Sequence, residues 1–283
     1  MLKRLAIILE MIKFAHTVFA LPFAVLSAFL AADGWPGWGA ALLILGAMVS
    51  ARSCAMAFNR VVDAELDARN PRTASRALPA GLLTKPAVWA FTLAMAALFV
   101  LCAALLNWLA FVLSPVALAI VCGYSFSKRF TWLSHFWLGL SLAVAPVGAW
   151  IAVKAEFALT PLLLGLAVVL WVAGFDIIYA CQDVEFDRQA GLHSLPRQFG
   201  VARALHVSSA LHALTVLVLL LVGHWARLGG LYAGGVLAAA GVLAYEHWIV
   251  TPDDLSRVTT AFFTLNGLVS VGLAAVALAD LLL

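Results

Sequence analysis

The 283-residue chain is 65% hydrophobic and only 11% charged, with a mean hydropathy of +1.05 and a net charge of +3. A soluble core of this size does not need so much apolar material, and the modest basic excess fits loops facing an anionic leaflet rather than a nucleic-acid surface. The four cysteines, Cys54, Cys102, Cys122 and Cys181, sit in apolar stretches without ligand spacing, which excludes a thiolate metal centre and assigns them to packing.

In chain order, nine apolar stretches predict membrane helices over residues 14–32, 38–59, 86–105, 107–124, 134–153, 160–182, 204–223, 228–248 and 260–282. The first contains Pro22 and lacks a clear small-residue cleavage site, so it reads as a retained helix and not a signal peptide. The third and fourth are separated only by a short turn near Asn107, and the eighth is rich in glycine. Fourteen of the 17 basic residues, Lys3, Arg4 and Lys13 among them, fall on the side of the N-terminus, and only Lys154 and Arg227 on the other; Arg52 lies within a span. That asymmetry places the N-terminus in the cytoplasm and the C-terminus outside a bacterial-type inner membrane. The expected organisation is one all-α integral membrane domain over residues 1–283.

Charge concentrates after the second and sixth stretches, in "NRVVDAELDARNPRTASRALPAG" and "DIIYACQDVEFDRQAGLHSLPRQFG". Half of the 14 carboxylates sit there: Asp63, Glu65, Asp67, Asp176, Asp183, Glu185 and Asp187. A helix turns about 100° per residue, so steps of four or seven nearly conserve direction. Asn59, Asp63 and Asp67 share one face if the helix continues to about Arg69. Asp176, Tyr179, Asp183 and Asp187 share another, while Glu65 and Glu185 point away. Like charges at this spacing destabilise an isolated helix, and two such faces repel on convergence unless a cation intervenes. Hard carboxylate oxygens suit Mg²⁺, which takes one or two of them and completes its shell with phosphate. Asp63, Asp67, Asp183 and Asp187 are therefore the candidate metal ligands. Arg72, Arg76, Lys128, Arg129, Arg188 and Arg197 are candidates for the remaining oxygens of a diphosphate. Arg52 precedes Asn59 by seven residues, as Asp176 precedes Asp183, which sets both about 10 Å deeper on the motif faces. An ionisable residue at that depth faces a cavity and has a partner. Arg52 and Asp176 are expected together on the cavity floor, Arg52 for an acceptor carboxylate and Asp176 to orient a phenol.

These residues resemble the UbiA superfamily of intramembrane prenyltransferases. The family's N-D-x-x-D-x-x-x-D appears as "NRVVDAELD" and its D-x-x-Y-x-x-x-D-x-x-x-D as "DIIYACQDVEFD". The stretch "YSFSKRFTWLSHFWLGLSLAVAPVGAW" is similar to the corresponding part of 4-hydroxybenzoate polyprenyltransferases. The resemblance implies nine helices around a central cavity open to lipid, with the aspartates holding Mg²⁺ and an allylic polyprenyl diphosphate. Loss of diphosphate yields an allylic cation that the ring of a phenolic aromatic acid attacks. Phe14, Phe19 and Phe23 are candidates for the tail channel. Two departures stand out: Arg60 replaces the usual aspartate after Asn59, and His193 stands where lysine is frequent. "MIKFAHTVFALPFA" and "GLHSLP" are similar to a branch associated with futalosine-pathway menaquinone synthesis, whose acceptor is 1,4-dihydroxy-6-naphthoate. On that basis His16 and His193 join the candidates. The alternatives are a tetrapyrrole prenyltransferase, a carboxylate-lined transporter and a non-catalytic lipid-binding homologue.

Overall fold

A computed structural model describes residues 2–12 and 14–283, with side chains from residue 7 onward except those of 13–15. Lys13 thus lies outside the described residues, as do the side chains of Lys3, Arg4 and Phe14. The described chain is helical throughout: α1 Leu2–Met11, a 3-10 turn Phe14–Phe19, α2 Leu21–Ala32, α3 Trp38–Val62, α4 Ala64–Arg69, α5 Lys85–Leu106, α6 Trp108–Ser127 and α7 Ser134–Lys154. It continues with α8 Leu159–Ala180, α9 Val184–Gln189, α10 Leu195–Phe199, α11 Val201–Trp225, α12 Gly230–Ile249 and α13 Asn266–Leu282.

Seven of these segments are long and apolar enough to cross a membrane. Two of the nine predicted spans fall short of that measure. The first is broken: Pro22 begins α2, and the preceding residues form the 3-10 turn, leaving a 12-residue helix. The eighth is helical over 20 residues, but its glycines and Glu246 dilute its hydropathy. The turn at Asn107 is present, and its chemistry is explicit. The Asn107 side chain accepts from Ala110 N at 2.9 Å, capping α6, and donates to Ile151 O and Ala152 O on α7 at 2.8 and 3.1 Å.

Helix α3 packs on α5, α7 on α8 and α8 on α11, while α12 packs on α13 and α13 returns to α2. Leucines and aromatics cover the outside; Trp38 and Trp108 are 73% and 74% exposed, as expected of side chains at a lipid boundary. Inside, Trp171, Phe175, Phe19 and Phe23 form the centre of the core. Polar bonds between helices supplement this packing. Trp171 Nε1 donates to Asn266 Oδ1 at 2.6 Å, and Asn266 Nδ2 to Glu246 Oε1 at 3.0 Å, joining α8, α13 and α12. Asn266 also donates to Ala261 O at 2.9 Å, fixing the wide helical turn Thr260–Leu265 that sets Phe262 against Tyr179.

The helix pair α7–α8 depends on one small residue. A Cβ on Gly139 would lie 2.5 Å from Val169 O and 2.9 Å from Val169 Cα. These are backbone atoms that cannot rotate away. Gly139→Ala is expected to destabilise the protein by about 1–3 kcal/mol, measurable as a lower melting temperature in detergent. An unchanged melting temperature would show that the two helices separate freely.

Candidate functional site

Both acidic segments lie where a long helix stops and a six-residue helix begins. Helix α3 ends at Val62, and Asp63, with φ −96° and ψ 5°, starts α4 (AELDAR). Helix α8 ends at Ala180, and after a single 3-10 turn Asp183, with φ −102° and ψ 6°, starts α9 (VEFDRQ). The two local geometries are alike, four predicted spans apart. Neither helix runs straight through, as the phase argument assumed. The face survives the first break because Asp67 N still donates to Asp63 O at 2.7 Å. Glu65 and Glu185 do point away: Glu65 lies 3.8 Å from Lys85, and Glu185 3.3 Å from Arg188, all four side chains exposed.

The two motifs meet across the mouth of a cavity of about 690 Å³. Arg72, from the loop after α4, reaches the second motif. Its Nε and Nη2 donate to the two oxygens of Asp183 at 3.1 and 2.7 Å, and Nη1 donates to the Tyr179 hydroxyl at 2.9 Å. Burial lowers the affinity of this guanidinium for its proton, but Asp183 and Tyr179 outweigh it and hold the pKa above its ordinary value. Arg76 Nη1 donates to both oxygens of Asp67 at 2.7 and 2.9 Å. Arg129 Nη2 donates to Asp63 Oδ1 at 3.0 Å and to Val62 O at 2.8 Å. Asn59 Nδ2 donates to Asp63 Oδ2 at 2.8 Å. Burial nonetheless pushes the Asp63 carboxyl up, with Arg129 pulling the other way. Asp187 accepts from Ser194 Oγ at 2.6 Å. Lys128 also lines the mouth. Burial opposes its charge, but Tyr124, Asp176, Asp187 and Asp183 keep its pKa raised.

Of the sequence candidates, Asn59, Asp63, Asp67, Arg72, Arg76, Lys128, Arg129, Tyr179, Asp183 and Asp187 line the mouth region, and Arg52 and Asp176 line the same cavity. Arg188 does not; it pairs with Glu185 on the exposed side of α9, one residue past the inward face. His193 also stays off the cavity wall, and its backbone N–H donates to Lys128 O at 2.7 Å. Arg197 donates to Leu192 O. Asp176 Oδ2 lies 2.7 Å from His135 Nδ1. His16 and Phe19 line the cavity, whereas Phe23 packs on Trp171 in the core.

Three partners escaped the sequence reading: His135, Ser194 and the positive role of Arg60. Arg60 is 6% exposed, donates to Met11 O at 3.2 Å and Asn59 Oδ1 at 3.3 Å, and lies 3.9 Å from Asp67. A cation in the middle of an acidic motif was the available signal. Among the described residues no three His, Cys, Asp or Glu side chains converge as a ligand cage. Mg²⁺ typically takes one or two carboxylates and leaves the rest of its shell to phosphate and water. The donors are hard oxygens, and the adjacent arginines suit phosphate.

Behind this mouth the cavity is apolar. Its wall reaches Ile44, Leu106, Ile151 and Phe157, and Asp63 to Ile44 along α3 spans about 28 Å at 1.5 Å per residue. A membrane-type helical bundle with a charged mouth and a span-long apolar cavity defines a protein that handles a lipid with an anionic head. Residues 20–268 match the UbiA prenyltransferase family, and the chain belongs to that family. It is 33% identical over 255 residues to a 4-hydroxybenzoate octaprenyltransferase of Aliivibrio fischeri, covering 87% of each chain. The apo structure of a UbiA homologue from Aeropyrum pernix K1 is 35% identical and superposes with a TM-score of 0.85, covering 94% of this chain and 98% of that one. A UbiA homologue from Archaeoglobus fulgidus bound to GPP and Mg²⁺ shares the fold, with a TM-score of 0.78 at 22% identity and coverage of 98% and 100%. The chain is thus a prenyltransferase enzyme, a class distinct from the carboxylate-lined transporter.

Proposed function

We propose that the protein transfers a polyprenyl group from an allylic polyprenyl diphosphate to the ring of a phenolic aromatic acid of the 4-hydroxybenzoate type, in a Mg²⁺-dependent reaction of quinone biosynthesis. The observation that carries this reading is the Arg72 bridge, by which the loop after the first motif grips Asp183 of the second at the mouth of an apolar cavity. The diphosphate sits between the motifs, and the prenyl tail runs into the apolar wall. Asp63, Asp67, Asp183 and Asp187 hold the metal, and Arg72, Arg76, Lys128 and Arg129 take phosphate oxygens. Bound metal supplies neutralisation of the leaving diphosphate. The allylic C–O bond breaks, a C–C bond to the ring forms, and the ring loses a proton. Tyr179 and Phe262 stack at the entrance to the tail channel, 4.3 Å between ring centroids, where they keep water from the cation. In this reading the 3-10 turn with α2, and α12, complete nine spans of one domain. The N-terminus and the site face the cytoplasm, and the C-terminus lies outside.

Arg52 and Asp176 receive the acceptor, Arg52 its carboxylate and Asp176 its phenol. Arg52→Ala is expected to raise the KM for the acceptor by about 10–100-fold, the size of a lost charge-assisted hydrogen bond, and to leave the KM for the polyprenyl diphosphate unchanged. An acceptor KM at the wild-type value removes Arg52 from the acceptor site. The "GLHSLP" segment favours 1,4-dihydroxy-6-naphthoate as a second acceptor. Competition between the two phenolic acids in one reaction, resolved by product mass, distinguishes them.

A further inference from the structure

His135, the second residue of α7, is fully buried. Its Nδ1 lies 2.7 Å from Asp176 Oδ2, and its Nε2 lies 3.2 Å from Leu195 N. A backbone N–H can only donate, so Nε2 accepts and carries no proton. The ring is therefore neutral, and its one proton sits on Nδ1, where it is donated to Asp176. Asp176, 7% exposed, accepts that bond as a carboxylate on the cavity wall. The preceding residue, Ser194, donates to Asp187 at 2.6 Å. Two adjacent residues at the start of α10, Ser194 and Leu195, thus fix Asp187 directly and Asp176 through the imidazole.

We infer that His135 is a positioning residue for the aromatic acceptor: its Nδ1–H holds the Asp176 carboxylate in the orientation that receives the acceptor hydroxyl. This rests on the acceptor chemistry proposed above. A full-length carboxylate beside a flexible partner would sample several rotamers. A buried imidazole clamped at its far nitrogen leaves it one, and pre-organisation of this kind lowers the cost of binding.

Two conservative variants separate this role from loop anchoring. His135→Asn places its amide nitrogen where Nδ1 was, so it keeps the bond to Asp176 and gives up the bond to Leu195. His135→Gln reaches the Nε2 position, so it keeps an acceptor for Leu195 N and gives up the donor to Asp176. The KM values for 4-hydroxybenzoate and for the polyprenyl diphosphate are measured separately on both full-length proteins. The expected result is an acceptor KM raised about 10–100-fold in His135→Gln and close to wild type in His135→Asn, with the donor KM unchanged in both. Equal impairment of the two variants, the reverse order, or a parallel loss of donor affinity in His135→Gln overturns the inference and leaves His135 a structural role. Failure of the wild-type protein to prenylate either phenolic acid overturns the functional reading, and this inference with it.

Discussion

Asp183→Ala is expected to lower prenyl transfer by at least about 10²–10³-fold, the usual cost of removing one electrostatic group from a charge-forming transition state. Asp183 sits at the tip of the second motif, gripped through both oxygens by Arg72. Alanine there removes a proposed metal oxygen and leaves the Arg72 guanidinium, which reaches in from the loop after α4, without its carboxylate. Asp63→Ala acts on the first motif in the same way, and frees Arg129 and Asn59. Neither side chain belongs to the hydrophobic core, so both variants are expected to keep the elution profile and melting behaviour of the wild type. Turnover within a fewfold of wild type in both would contradict the proposed metal roles.

The second large effect is metal dependence, and it follows from charge. The carboxylates of Asp63, Asp67, Asp176, Asp183 and Asp187 face the cations of Arg52, Arg60, Arg72, Arg76, Lys128 and Arg129, all on the cavity wall. Five against six leaves the cavity with only a single net positive charge. A diphosphate adds several negative charges to a partly buried, low-dielectric site, which is prohibitive without added cations. Chelation with EDTA is therefore expected to abolish turnover and to weaken retention of the polyprenyl diphosphate, and added Mg²⁺ to restore both. Full activity in excess chelator would show that the arginines and Lys128 alone neutralise the leaving group.

The site was more legible in the sequence than the number of spans. Four-residue spacing of acids at two helix ends survives in any helical register, which is why Asp63, Asp67, Asp183 and Asp187 reach one cavity. The same arithmetic turned Glu65 and Glu185 outward. Arg188 was a candidate for its charge and not its phase; it stands one residue past Asp187, about 100° off the inward face, and pairs with Glu185. His135 was hidden for a different reason. Its partner, Asp176, lies 41 residues on, and a lone histidine at the start of an apolar helix carries no periodic signal. Depth set Arg52 and Asp176 on one cavity, where both lie, but depth fixes only height in the bundle and could not point to His135 as a neighbour of Asp176. The first span is an apolar run over residues 14–32 by hydropathy, whereas its α-helix is confined to Leu21–Ala32, with Pro22 in its first turn.

The central claim is that two acidic helix tips close on the diphosphate of a long isoprenoid and direct its cleavage towards an aromatic ring. Incubating the purified protein with a long-chain polyprenyl diphosphate and 4-hydroxybenzoate, with and without Mg²⁺, and weighing the lipid-soluble products tests it. The expected product, formed only with the metal, has the mass of the acceptor with one ring hydrogen replaced by the polyprenyl chain. Unchanged substrates in the presence of Mg²⁺, with 1,4-dihydroxy-6-naphthoate equally unreacted, would contradict it.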